Sequence, residues 1–225
     1  MTASVNPRIT MRKQPQQARS AGVVEAILQA ASQVLAEVGA QRFTTARVAE
    51  RAGVSVGSLY QYFPNKAAIL FQLQSDEWRD TTALLRAILE DRTRSPQERL
   101  RAAVHAFVRS ECEEAAMRVA LGDAAPLYRN APESEEPRAA GTRAIQAFLH
   151  DAVPAMPDAA CRLAGDLIAM TLAAVGEGIS EKASSDAQIV AYADGLADML
   201  GAYLARLDRT DRPPTTTEDA ERPSH

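Results

Sequence analysis

The stretch Thr44 to Lys66, TTARVAERAGVSVGSLYQYFPNK, limits the fold more than any other part of the chain. Helix starts are legible at three points in it. Thr44, Ser55 and Asn65 each offer a side-chain oxygen to the unpaired backbone N–H groups of a first helical turn. Each also stands between apolar residues one before and four after the cap: Phe43 with Val48, Val54 with Leu59, Pro64 with Ile69. Such a staple sets the angle at which the chain enters a helix. Gly53 falls between the first two helices, where the turn needs a left-handed backbone that glycine adopts without strain. Ala49 is small enough to let the two helices approach. The stretch therefore predicts two short helices crossed at a tight turn, with Ser55–Phe63 as the recognition helix, and the start of a third, longer one.

The segments on either side complete the unit. From about Gln16 to Val38, Val24, Ile27, Leu28, Ala31, Val34, Leu35 and Val38 recur at helical spacing, and Gly39 ends the run. Their face is expected to cover the turn motif, with Phe43, Val48, Val54, Leu59 and Phe63 closing a small core. A unit of this size is marginal alone, so it is expected to lean on the helix that starts at Asn65 and runs to about Glu90. That helix leaves the first unit and enters the second, which makes it the mechanical link between them.

The rest of the chain also reads as helix. Ser95 caps a helix opened by Pro96, which continues with a break through Leu121. A short helix is expected around Ala124–Arg129, then helices over about Glu135–Val153, Asp158–Ala183 and Asp186–Leu207. Alanine and leucine dominate, and β-branched and aromatic residues are sparse outside a few sites. The fold class is all-α, about nine helices in all. The domains are a flexible basic arm (1–14), a helix-turn-helix DNA-binding domain (15–66, motif 44–63), a helical regulatory and dimerisation domain (67–208) and a disordered tail (209–225). The arm, with Arg8, Arg12 and Lys13, serves either to reach phosphates or a minor groove or as a solvated tail. No apolar run near the roughly 20 residues of a membrane span is evident, so no membrane role and a cytoplasmic location are expected.

Charge distribution bears on the partner. The net charge is −4, but residues 1–66 hold eight Lys/Arg against three acids, a balance of +5 that leaves −9 for the remainder. A basic N-terminal piece on an acidic body suits a DNA reader with a separate second domain. On the recognition helix, Ser55, Gly57 and Ser58 are short enough to let the helix sit deep in a major groove. Gln61 can read adenine and Val56 can touch a thymine methyl, with Tyr62 at the edge of the same side. Arg47 is a base or phosphate contact from the preceding helix, beside its cap Thr44. Lys66 lies at a helix N-terminus, which itself attracts phosphate.

The run TTARVAERAGVSVGSLYQYFPNK, with QARSAGVVEAILQAASQVLAEVG before it, resembles the DNA-binding segment of the TetR family of bacterial transcriptional regulators over roughly residues 15–75. Ala46 departs from it, standing where many relatives carry a polar residue. The resemblance implies that Thr45, Tyr60, Tyr62 and Lys66 hold phosphates. It implies a homodimer through the last two helices, about 158–207, on a palindromic operator of double-stranded DNA. It implies a repressor, released by a small-molecule effector that tilts the helix from Asn65. Candidate pocket walls are Trp78, Phe107, Met117, Tyr128, Phe148, Met170 and Glu177. Glu177 stands out between Gly176 and Gly178, where a buried carboxylate would need a partner or a cationic or hydroxyl group on the ligand.

Other classes have less to rest on. There is no Gly-rich phosphate loop and no nucleophile motif, so no enzyme is expected. Cys112, Cys161 and the scattered His105, His150 and His225 form no metal-binding spacing, and no cofactor is expected. The alternatives are a redox-responsive regulator switching through Cys112 or Cys161, and a DNA-binding protein that answers to no ligand.

Overall fold

The structure is a computed structural model that describes residues 9–12, 18–128, 131–183 and 185–210. Among the described residues it is all-helical, with nine α-helices and no strand. Helix α1 (Ala18–Arg42) turns sharply at Gly39, whose φ of 69° is left-handed. Helix α2 (Thr45–Arg51) and helix α3 (Val56–Tyr62) cross at Gly53, at φ 65°. Helix α4 (Lys66–Leu89) follows directly. The three expected caps are in place. Thr44, Ser55 and Asn65 accept from the N–H groups of Arg47, Ser58 and Ala68.

The apolar stripes of these four helices close one core around Ile27, Leu35, Phe43, Val48, Leu59, Phe63, Ile69 and Leu70, all essentially without exposure. Burying a side chain of this size contributes about 1.5–3 kcal/mol. Two contributors were not anticipated. Helix α6 (Ala115–Ala124) lies on α1 and adds Leu121, and the 3-10 turn Ala125–Leu127 after it, where a short helix was expected, brings in Tyr128. Ile9, from the stretch expected to hang free, is 1% exposed and plugs the same core. Residues 9–12 thus pack on the domain. Arg8 and Lys13 lie outside the described residues, as does the expected tail beyond Thr210.

A second core joins the far half of α4 to helix α5 (Pro96–Glu113), helix α7 (Glu135–Ala152), helix α8 (Asp158–Lys182) and helix α9 (Asp186–Thr210). Ser95 and Glu98 start α5 with reciprocal side-chain caps. Helix α4 belongs to both cores: Ile69 to Phe71 sit in the first, Leu85 and Leu89 in the second.

One expectation needs correction. Helices α1 and α8 do reach the length and apolarity of a membrane span, with mean hydropathy 1.3 and 1.4. Their alanine content raises the average. Each buries one face in protein, Ile27, Ala31 and Leu35 for α1, Ile168 and Leu172 for α8.

Candidate nucleic-acid interface

The turn motif leaves one face of α3 open. Ser55, Val56, Gly57, Tyr60 and Gln61 are exposed, while Leu59 and Phe63 are fully buried and fix the helix from behind. Ser58 is half-buried and hydrogen-bonded to Ser55 Oγ at 2.9 Å. Tyr62 is half-buried and packs against the first core. From α2, Thr44, Ala46 and Arg47 are exposed and Thr45 is half-buried. Thr45 Oγ1 is hydrogen-bonded to Tyr60 Oη at 3.1 Å, which ties the start of α2 to the middle of α3. Lys66 is half-buried at the N-terminus of α4. The eleven residues singled out from the sequence thus lie on or beside two short, tightly joined helices.

Two neighbours hold this face in shape. Arg51 makes a two-pronged pair with Glu37 at 2.8 and 2.7 Å, pinning the end of α2 to α1. The Arg51 hydrogen bond, reinforced by its charge, keeps the Glu37 carboxyl below its ordinary range. Arg12, from the stretch expected either to reach DNA or to hang as a solvated tail, packs on α3: its backbone N–H donates to the Tyr62 carbonyl at 2.7 Å and its guanidinium to the Tyr60 carbonyl at 3.4 Å. It closes the last turn of α3, whose carbonyls have no helical partner.

At the other end of the first core, α4 meets α5 and α6 through buried charge. Arg118 of α6 pairs with Glu77 of α4, with Glu111 of α5 at 2.9 Å and with Glu114 at 3.7 Å. Arg118 also donates to Ser110 Oγ at 3.0 Å, and Thr81 donates to Glu77 at 3.1 Å. Burial pushes the Glu77 carboxyl up against the pull of Arg118. It pushes Glu111 up to about 7, with Glu77, Glu114 and Glu177 adding repulsion.

The seven proposed pocket residues are not gathered in one cavity. Trp78, Met117 and Tyr128 lie against the first core, Phe107 and Phe148 in the second. Met170 is 64% exposed, and Glu177 is exposed rather than buried. The reason is rotational. Gly176 faces inward, where an added Cβ would stand 2.8 Å from Phe107, so the next residue on the helix turns outward.

Comparison with known proteins agrees with this geometry. Residues 27–73 match the model described as bacterial regulatory proteins, tetR family. Residues 95–207, half of the chain, match the tetracyclin repressor-like C-terminal domain. The chain belongs to the TetR family. A curated relative is the nucleoid occlusion factor SlmA of Vibrio campbellii, 38% identical over 82 residues, which are 36% of this chain and 41% of that one. The match thus spans less than half of SlmA. A TetR-family transcriptional regulator from Pectobacterium atrosepticum shares the fold at TM-score 0.66 and 18% identity, over 83% of this chain and 96% of that one. RolR, solved in complex with resorcinol, shares it at TM-score 0.54 and 20% identity, over 87% and 96%.

Proposed function

We propose that this TetR-family chain is a repressor that binds a palindromic operator as a homodimer and releases it when a small-molecule effector occupies the helical body. The observation that carries the reading is the open face of α3, with short Gly57 and reading groups Val56 and Gln61 flanked by Thr45, Tyr60 and Lys66. Residues 15–66 would read DNA and 67–208 would sense and dimerise. The SlmA match lies in favour of a DNA role, since that relative is a nucleoid factor. Work on chromosomal DNA implies the cytoplasm.

Dimerisation is supported by what α8 and α9 leave uncovered. Leu163, Leu167, Met170, Tyr192 and Met199 are 44–70% exposed, more apolar surface than a helix pair leaves open without use. Two copies joined there would present two α3 helices to a symmetric site. Effector control draws support from α4, shared by both cores, and from RolR, a protein of the same fold that holds resorcinol. The redox alternative is disfavoured: burial and nearby carboxylates push the Cys112 thiol up, and burial pushes Cys161 up.

The contact map is tested on operator DNA. Tyr60→Ala and Lys66→Ala are each expected to weaken binding about tenfold, and Lys66→Ala to reduce the salt slope by about one. Unchanged affinity in both would overturn the assignment.

A further inference from the structure

The recognition helix itself has no charge. From Ser55 to Phe63 the chain carries neither an acid nor a base. Attraction to phosphates supplies a large share of the affinity of a DNA reader, so it has to come from cations placed around α3. Arg47 on α2 and Lys66 on α4 stand to either side of it. Arg51 is already spent on Glu37. A further cation comes from the short stretch Ile9–Arg12.

That stretch is held at both ends. Ile9 is 1% exposed and seated in the first core, and Met11 packs against the same core. Thr10 and Arg12 face solvent. The Arg12 backbone N–H donates to the Tyr62 carbonyl at 2.7 Å, and its Nη1 donates to the Tyr60 carbonyl at 3.4 Å. A guanidinium has five N–H donors, so one such bond leaves most of them for another acceptor. Among the described residues no carboxylate is paired with Arg12.

Its place decides what this cation meets. A recognition helix addresses base edges with its N-terminal residues, here Val56 and Gly57. Tyr60 and Tyr62 lie at the other end of α3. A guanidinium tied to the carbonyl of the exposed Tyr60 stands where the backbone of the duplex, not its bases, is in reach.

We propose that Ile9–Arg12 is a strap that makes Arg12 a phosphate contact of the DNA complex, with Ile9 as the residue that positions it. This rests on α3 being the element that reads DNA. A cation already fixed in place loses less freedom on binding than one carried on a free arm.

The probe is the tightest fragment selected from genomic DNA on the full-length protein, titrated over a range of salt concentrations well below the melting temperature. Arg12→Gln is expected to weaken binding about three- to tenfold, to lower the salt slope by about one per half-site, and to leave the melt unchanged. Arg12→Lys is expected to keep the slope. Ile9→Ala removes no charge, yet it is expected to lose the same increment of slope as well as to melt lower. Adding Arg12→Gln to Ile9→Ala is then expected to cost little more affinity, because an unseated strap no longer presents Arg12. Ile9→Val, which keeps the plug, is expected to bind as the unaltered chain does. Full affinity in Arg12→Gln overturns the contact. Independent, additive losses from Ile9→Ala and Arg12→Gln overturn the strap. Should Ile9→Ala fail to fold, the comparison of Arg12→Gln with Arg12→Lys decides alone. Either failure leaves α3 standing as the reader; a chain that selects no fragment at all overturns that reading and the strap with it.

Discussion

Gly57→Glu is expected to abolish specific DNA binding while leaving the fold intact. Gly57 is the second residue of α3 and is exposed. A Cβ built there meets only Ser55 Oγ, at 3.8 Å, an ordinary contact, and the backbone is helical rather than left-handed. Replacing a helical glycine gains up to about 1 kcal/mol of helix propensity, and an acid in the first turn suits the helix dipole. The free protein therefore melts no lower than before. In the complex the same carboxylate would stand between two rows of phosphates, where a short residue is needed. A loss of about a hundredfold or more is expected in gel-shift titrations, and Gly57→Ala is expected to fall between. Retained affinity in Gly57→Glu would mean that another face of the molecule meets DNA.

The second large effect is at the junction of the cores. Arg118→Ala leaves Glu77 and Glu111 facing each other with no counter-charge, their side chains 9% and 10% exposed. Breaking a buried pair in this way costs about 3–5 kcal/mol. The loss is expected to be largest at alkaline pH and to shrink on acidification, because the stranded carboxyls take up protons. The unaltered chain carries a milder version of the same dependence. Glu111 holds its proton up to about 7 in the folded state against about 4.5 ordinarily. Between those values the native state binds more protons than the unfolded chain. This group's contribution is therefore complete below about 4.5 and is lost as pH rises through about 7. Denaturant midpoints at a series of pH values check both statements. A pH-independent cost for Arg118→Ala would mean that the carboxylates relax into solvent.

The local parts of this molecule were legible because their signals are local. Thr44, Ser55, Asn65 and Gly53 act on their own next turn, and each does in the structure what its chemistry dictates. The helix count and the apolar faces followed from periodicity for the same reason. What could not be read depends on contacts between distant helices. Glu77, Glu111 and Arg118 stand on three different helices and become partners only when α4, α5 and α6 are brought together. Ile9 and Met11 stand in a short stretch with no helix cap or sustained apolar period, so their place on the first core comes from the fold. The exposure of Glu177 was not legible, because sequence shows that a helix is amphipathic without showing its rotation, and here Gly176 lies against Phe107.

The most direct test is to select genomic fragments on the immobilised full-length protein and footprint the tightest binder. Two protected half-sites related by a dyad are expected, their centres one helical turn of about 10 base pairs, or a multiple of it, apart. Protection is expected to disappear in Gly57→Glu. Uniform protection without sequence preference, weakening steeply with salt and indifferent to Gly57→Glu, would contradict the reading of α3 as the element that recognises an operator.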